Sequence, residues 1–259
     1  MHFAGALIMP WTFSHPAAVL PLKRLSEKNL LNFPALVTGS LSPDFFYSVM
    51  LYDIATTSHH LLGWFYTAFP LCLLIFLIVH LLSKPLSDLF PISFIPYEKQ
   101  GYKNKVIFVI SLFIGAATHI GWDSFTHETG FFVDKIPLLQ YKVFQTMTNG
   151  EGIGIYKILQ HVSSLLGIIY ISMKYWQHQK KQTSFIQFNN KKKLYRLVII
   201  GFIAGFLVSP VALFLSYKPS GIYIGKFIFN VLTLSVPVFC ILLVIVALWK
   251  SKKINQRWH

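Results

Sequence analysis

The chain has 259 residues, of which 54% are hydrophobic and only 12% are charged, whereas about 25% of the residues of an ordinary soluble domain carry charge. With a mean hydropathy of +0.55, this composition excludes an ordinary soluble domain and favours an integral membrane protein. The formal net charge is +14, but the lysines and arginines lie between apolar runs, as in membrane loops, so we expect no nucleic-acid partner.

The N-terminal segment predicts short helices that lie at a membrane interface. It lacks a basic region at its start and carries Pro10, Pro16 and Pro21, so we expect no cleaved signal peptide. A helix that begins near Pro16 has to end or kink by Pro21, which makes it too short to cross a bilayer. Met9 is a second candidate for the start of translation, and the intact mass of the native protein would decide between the two.

A turn is predicted in the segment that follows, because small and turn-forming residues cluster at Gly39, Ser40, Ser42 and Pro43. This turn presents Asp44 beside three aromatic residues, of the kind that gather at membrane interfaces. Taken alone, Asp44 is better explained as a turn or helix-capping residue than as part of a site.

Five apolar runs predict five transmembrane helices, since a helix needs roughly 20 apolar residues to span a bilayer. The runs are about Leu61–Leu82, Val106–Trp122 (continuing toward His127), Ile158–Met173, Leu197–Tyr217 and Phe227–Trp249. Segments 84–105 and 174–196 are predicted loops. The expected fold class is an all-α, polytopic membrane helical bundle. Residues 1–175 carry the polar motifs, and residues 176–259 add a basic loop, two further transmembrane helices and a basic tail to the same membrane unit.

The distribution of basic residues predicts the orientation in the membrane. Five spans place 15 lysines and arginines on one side, including those of the 174–196 loop and the C-terminal tail, and 8 on the other. Because the more basic side faces the cytoplasm, we expect a cytoplasmic C-terminus and an outer N-terminal region.

One polar stripe stands out at the end of the second predicted span, where His119, Asp123 and His127 recur at steps of four. A four-residue step keeps side chains on one face of a helix, and such residues are costly in hydrocarbon and usually serve a site. The predicted orientation brings further polar residues to the same outer side. Together the candidates are His15, Asp44, His59, His119, Asp123, His127 and His161. The alternative is that they are ordinary interfacial residues at helix ends.

Histidines and carboxylates are suitable ligands for a divalent metal ion, with zinc favoured and manganese or iron as alternatives. Both cysteines, Cys72 and Cys240, lie inside apolar runs, so a thiolate site is not expected. Seven candidates exceed the ligands of one zinc ion, so some orient other ligands or several ions lie together. Asp44 and Asp123 are the candidate catalytic residues, and the sequence leaves open whether each is a ligand or a general base.

Five motifs occur in order: S-H-P-A-A-V-L-P-L (Ser14–Leu22), P-A-L-V-x-G-S-x-S-P-D-F (Pro34–Phe45), S-H-x-L-x-G (Ser58–Gly63), G-A-x-T-H-x-x-W-D-x-F-T-H (Gly115–His127) and Q-H-x-S-x-L-G (Gln160–Gly167). Over about residues 9–175 the chain resembles the bacterial membrane proteins of domain-of-unknown-function family 4184. It is distantly similar to the YdjM-like membrane-bound proteins, which are described as metal-dependent hydrolases. The resemblance implies metal ligands at the same seven positions, with His59 rather than His60 in the third motif, and a location in the bacterial inner membrane.

The expected function is that of a metal-dependent hydrolase whose site opens near the outer leaflet. A lipid or a lipid-linked phosphate or ester suits such a site, because it can enter sideways from the bilayer. Two alternatives remain. Intramembrane ionisable residues also mark the paths of transporters and permeases, and a metal cluster can serve a purely structural role by tying the N-terminal region to the helices.

Overall fold

The computed structural model describes residues 12–91, 102–144, 152–219 and 221–255. Met9 and the rest of the predicted interfacial segment before Thr12 lie outside the described residues, as do positions 92–101 of the predicted 84–105 loop. In the described part of the chain almost every element is a helix, and the four strands are two residues long each. The predicted all-α fold class is therefore confirmed.

The elements fall into a short-helix half and a long-helix half. The first half contains α1 (Pro16–Val19), α2 (Lys23–Glu27), α3 (Phe33–Leu41), α4 (Tyr52–Ser58), α5 (Leu61–Tyr66), α6 (Ala68–Leu81) and α7 (Ser83–Leu89), with 3-10 helices at Thr12–Ser14, Leu20–Leu22, Ser42–Asp44 and Tyr47–Val49. The second half contains α8 (Tyr102–Thr126), α9 (Phe131–Lys135), α10 (Pro137–Gln140), α11 (Ile155–Lys180), α12 (Ser184–Ser216) and α13 (Ile224–Asn255). Two antiparallel strand pairs link helices: β1 (Lys142–Val143) with β2 (Ile153–Gly154), and β3 (Tyr217–Lys218) with β4 (Gly221–Ile222).

The long helices are those of an integral membrane protein. Four segments that contain α8, α11, α12 and α13 are each long and apolar enough to cross a bilayer. Between 11% and 17% of the most apolar window of α11, α12 and α13 is buried inside the protein, so most of the apolar surface of these three helices is left to face lipid. Within the described residues, the bent pair of α6 and α7 adds a fifth span if the two helices count as one, which gives the predicted number.

The first predicted span, Leu61–Leu82, is not one continuous helix. The chain breaks at Thr67, between α5 and α6, and again at Leu82, where α6 and α7 bend by 83°. With 14 residues, α6 is about 21 Å long and too short to cross a hydrocarbon core of about 30 Å by itself. The expectation of one continuous spanning helix over about Leu61–Leu82 is therefore wrong.

Two prolines explain the breaks. The ring of a helical proline clashes with the carbonyl four residues earlier, and its missing N–H removes one helical hydrogen bond. Pro70 lies four residues after Tyr66, the last residue of α5, and Pro85 lies four residues after Leu81, the last residue of α6. The sequence therefore contained the signal for both breaks.

The predicted loop 174–196 is mostly helical, so this prediction was also wrong. α11 continues to Lys180, α12 begins at Ser184, and Thr183 caps α12 by accepting the Ile186 N–H. Lysine and arginine are good helix formers, and a membrane helix can continue into water where its side chains turn polar. The basic residues thus lie on the projecting ends of two helices.

α3 and α8 form the contact that supports the rest of the first half. Gly39 of α3 lies against the backbone of Leu112, and Gly115 of α8 lies against the backbone of Leu36, so that a Cβ at either glycine would overlap a carbonyl oxygen. Gly39 was predicted to be in a turn, but its role is close helix packing inside α3. The core around this contact contains Ala35, Trp64, Ala68, Cys72, Phe108, Leu112 and Ala116.

Candidate metal centre

Separate segments of the chain deliver side chains to one cluster near the C-terminal end of α8. His15 immediately precedes α1, Asp44 ends the 3-10 helix after α3, and His59 follows the last residue of α4. His119 and Asp123 come from the last two turns of α8. Because every contributing segment ends or begins here, the chain can bring polar groups together without placing them in the middle of an apolar helix.

The centre of the cluster is a ring in which histidine nitrogens and carboxylate oxygens alternate. His59 Nε2 lies 3.2 Å from Asp44 Oδ1 and 3.4 Å from Asp123 Oδ2. His119 Nε2 lies 3.5 Å from Asp44 Oδ1 and 3.1 Å from Asp123 Oδ2. Ligand bonds of about 2.0–2.1 Å in a tetrahedral site put neighbouring ligand atoms about 3.3 Å apart. The ring therefore has the dimensions that a single transition-metal ion requires.

Backbone carbonyls orient both histidines of the ring. His119 Nδ1 lies 2.7 Å from the Ser40 carbonyl, and His59 Nδ1 lies 2.8 Å from the Ala55 carbonyl. A carbonyl oxygen can only accept a hydrogen bond, so in each ring Nδ1 carries the proton. In the neutral form of each ring the lone pair is then on Nε2, which faces the centre, as is usual for histidines that bind metal.

Unpartnered atoms point to a group that belongs at the centre. His119 Nε2 and Asp123 Oδ1 are buried and make no hydrogen bond, and the same is true of His15 Nε2. A buried polar group without a partner costs about 1–3 kcal/mol. Despite short distances, His119 Nε2 makes no well-directed hydrogen bond to either carboxylate. This arrangement is expected when the atoms face a common ion rather than one another.

Two further hydrogen bonds hold the Asp44 segment in place. The hydroxyl of Thr12 donates to Asp44 Oδ2 at 2.6 Å, which leaves Oδ1 for the ring. The hydroxyl of Ser58 donates to the Pro43 carbonyl at 2.6 Å and thereby ties α4 to the Asp44 turn. The carboxylate is therefore positioned by both its own second oxygen and its backbone.

Two more histidines face the other oxygen of Asp123. His15 Nε2 lies 3.7 Å from Asp123 Oδ1, and His127 Nδ1 lies 3.5 Å from the same oxygen. The His15 ring also stacks on the His119 ring with a centroid distance of 3.6 Å. These contacts bring six of the seven predicted site residues into one cluster.

His161, the seventh predicted residue, is not brought into the cluster. None of the described ion pairs, hydrogen bonds or ring contacts joins it to the other six. Its neighbour Gln160 is buried, and the Gln160 amide nitrogen lies 3.2 Å from His127 Nε2. Consecutive residues of a helix point about 100° apart, so when Gln160 faces His127, the His161 side chain points in a different direction.

The charges of the cluster divide the histidines into two kinds. Burial by itself would lower the pKa of His59, but its contacts with Asp123 and Asp44 outweigh burial and raise the pKa to about 9. Burial and next the neighbouring His119 lower the pKa of His15 to about 4. Burial alone would raise the pKa of Asp44, but the facing His119 and His59 hold it well below its usual range. At neutral pH and without a metal ion, His59 is therefore protonated and His15 is neutral.

The fold and the cluster together define a class of protein: an all-α integral membrane protein with a buried histidine–aspartate centre at one end of its helices. A family model described as "Domain of unknown function (DUF4184)" matches residues 9–249, and the chain belongs to this family. The match continues past residue 175 through α12 and most of α13. No curated protein and no solved structure matches the chain. The distant similarity to the YdjM-like proteins stays a prediction.

Proposed function

We propose that the chain is a metal-dependent hydrolase and that His59, His119, Asp44 and Asp123 hold its metal ion. The observation that carries the proposal is the ring of four facing ligand atoms, in which His119 Nε2 is buried without a hydrogen-bond partner. Two carboxylates and two neutral imidazoles carry a charge of −2, which a divalent cation neutralises. A bound divalent ion lowers the pKa of a water ligand and stabilises negative charge on a phosphoryl or acyl oxygen.

The identity of the ion decides whether the centre has room for water. Four protein ligands close a tetrahedral zinc site, and zinc then needs a fifth ligand to activate water. The same four ligands leave two positions open on an octahedral ion, a geometry that manganese accepts. Zinc, manganese and iron all fit the nitrogen and oxygen donors. We therefore propose that the hydrolytic form contains manganese or iron, and we keep zinc, which the sequence favoured, as the alternative. Asp44 and Asp123 then act as ligands.

A lipid or lipid-linked phosphate or ester is the proposed substrate. The His59 side chain is 20% exposed and the His127 side chain 31%, so the centre can be reached from outside through these two rings. Large apolar side chains on the segments that carry His15 and His59 are exposed as well: Phe13, two residues before His15, and Tyr52 and Ile54 of α4. An apolar rim next to a polar, cation-binding centre suits a molecule with an acyl chain and an anionic head.

We place the centre on the outer side of the bacterial inner membrane, with the C-terminus in the cytoplasm. The count of 15 basic residues against 8 supports this orientation. Reporter fusions test it: alkaline phosphatase fused after residue 259 should be inactive, and a fluorescent protein fused there should be bright. The opposite result would place the centre in the cytoplasm.

Adjacent histidines provide a matched pair of variants for the hydrolase. His59 lies in the ring, whereas the next residue, His60, is exposed. We expect His59→Ala, in protein purified in detergent without chelators, to lose most of its bound metal and its turnover of lipid phosphates and esters. His60→Ala should keep both. Unchanged metal content and turnover in His59→Ala would exclude this proposal.

A structural metal site is the second candidate, because four protein ligands are what a closed zinc site uses. The ligands also join three segments of the chain, so that an ion there would lock the Asp44 turn and the end of α4 onto α8. In this case the purified protein contains zinc, its removal lowers the melting temperature, and no phosphate or ester is turned over with manganese or iron.

A further inference from the structure

The two oxygens of Asp123 face two different sets of histidines. Oδ2 faces His59 and His119 in the ring. Oδ1 points to the other side, toward His15 and His127, and is buried without a hydrogen-bond partner. Burying a carboxylate oxygen without a hydrogen-bond partner or a cation costs free energy, so the surroundings of Oδ1 need a separate explanation.

His15 is not one of the four residues whose ligand atoms form the ring. Its side chain is 3% exposed, and its Nε2 is buried and unpartnered while it faces Asp123 Oδ1. Stacking against His119 at 3.6 Å fixes the plane of the ring. The chain thus buries a second nitrogen beside a second unsatisfied oxygen, a combination that matches the ligands of the first centre.

His127 completes this second group. Its Nδ1 lies 3.5 Å from Asp123 Oδ1 and 3.5 Å from the Thr126 hydroxyl, and its Nε2 lies 3.2 Å from the amide nitrogen of the buried Gln160. As placed, the amide nitrogen faces Nε2 and donates to it; rotating the Gln160 side-chain amide by 180° puts its oxygen there instead, where it accepts the Nε2 proton and leaves the lone pair on Nδ1, toward Asp123. Gln160 would then orient His127 as the Ser40 carbonyl orients His119.

We propose a second cation position, held by His15 Nε2, His127 Nδ1 and Asp123 Oδ1, with the Asp123 carboxylate bridging the two ions. The proposal rests on the first centre being a metal site. Two nitrogens and one carboxylate leave a coordination position free for water or for an oxygen of the substrate, as catalytic sites do. Bridged ions of this kind lie about 3.5–4 Å apart, and they suit a phosphate ester, whose oxygens can bind to both.

Charge predicts that the two positions fill in order. Asp44 and Asp123 supply two negative charges, which the first divalent ion neutralises. The second ion shares only the Asp123 carboxylate and meets the charge of the first, so it binds more weakly. Inorganic phosphate that binds to both ions adds negative charge between them and should therefore strengthen binding of the second ion.

Manganese titration tests the proposal, because two bridged Mn²⁺ ions give an exchange-coupled paramagnetic resonance spectrum that one ion does not give. We expect the stripped wild-type protein to bind two ions per chain at saturation, the second at least tenfold more weakly, and phosphate to narrow that difference. His15→Ala and His127→Ala should each bind one ion and show no coupled spectrum. An ion that binds to either variant with wild-type affinity also demonstrates that the variant is folded. His161→Ala, outside the cluster, is the control and should bind two.

The outcomes separate this inference from the proposed function. A wild-type protein that saturates at one ion overturns the second position and leaves the hydrolase proposal standing. Two ions in both His15→Ala and His127→Ala, or none in either, also overturn it. A wild-type protein that binds no Mn²⁺, Zn²⁺ or Fe²⁺ overturns the first centre and with it both proposals.

Discussion

Replacing the Asp123 carboxylate by an amide of the same shape is the most informative single change, because both halves of the cluster depend on this residue. Its Oδ2 lies 3.4 and 3.1 Å from the nitrogens of His59 and His119, and its Oδ1 lies 3.7 and 3.5 Å from those of His15 and His127. Removing one partner of a buried ion pair costs about 3–5 kcal/mol. Since about 1.4 kcal/mol changes an equilibrium constant tenfold, we expect Asp123→Asn to raise the metal Kd by about 10²- to 10⁴-fold.

Competition with a chromogenic chelator in detergent solution measures this Kd directly. Asp44→Asn should weaken binding over the same range, because Asp44 contributes the other oxygen of the ring. Asp53→Asn is the matched control: Asp53 lies on α4, and its side chain is exposed. An unchanged Kd for Asp123→Asn would refute the reasoning, as would an equal loss of affinity in Asp53→Asn.

Three further predictions concern protonation and packing. The pKa of His59 is about 9 in the metal-free protein, so metal binding at pH 7 should release a proton from this histidine. Calorimetry in buffers of different ionisation enthalpy measures the proton release, which should vanish above about pH 9. Gly115→Ala should lower the free energy of unfolding by about 1–3 kcal/mol, because the added methyl group overpacks the contact with α3, and the melting temperature should fall with it. Gly121→Ala on the same helix meets open space and should be neutral or slightly stabilising. Trp64→Phe removes an indole N–H that is bonded at 2.7 Å to a buried serine hydroxyl, and we expect a loss of about 1–3 kcal/mol, measured by thermal unfolding.

The stripe on α8 was predictable because it depends only on helical periodicity. His119 and Asp123 are four residues apart, and in the structure both face the ring from the last two turns of α8. The spans that contain α8, α11, α12 and α13 followed in the same way from apolar length, which is a local property. For Asp44, by contrast, the residue alone favoured a turn or cap, and only its inclusion in the convergent set pointed to the site.

What the sequence did not reveal depends on packing direction and on backbone groups. His161 and Gln160 are adjacent and both polar, and only the rotation of α11 against α8 decides which of them faces His127. Every residue has a backbone carbonyl, so the sequence does not show which carbonyls orient the histidines. Thr12, which donates to Asp44, belongs to no periodic pattern. The breaks at Pro70 and Pro85 had a local signal, yet Pro210 and Pro237 lie inside continuous helices, so proline alone does not locate a break.

The orientation of the histidines follows from where two short helices end. The last four carbonyls of a helix have no partner within it, and the carbonyls of Ser40 in α3 and Ala55 in α4 belong to these last turns. Each accepts a hydrogen bond from the Nδ1 of a ring histidine, His119 or His59. The same bonds thus supply a partner to carbonyls at the helix ends, where the Ala55 carbonyl also accepts from the Ser58 hydroxyl, and they turn both Nε2 atoms toward the centre. Gly115 sets the distance between α3 and α8, so a larger side chain there would move the Ser40 carbonyl and His119 apart. A misplacement of about 1 Å in a catalytic site costs on the order of 10²-fold in rate. Packing of the apolar core and geometry of the candidate metal centre therefore depend on each other in this fold.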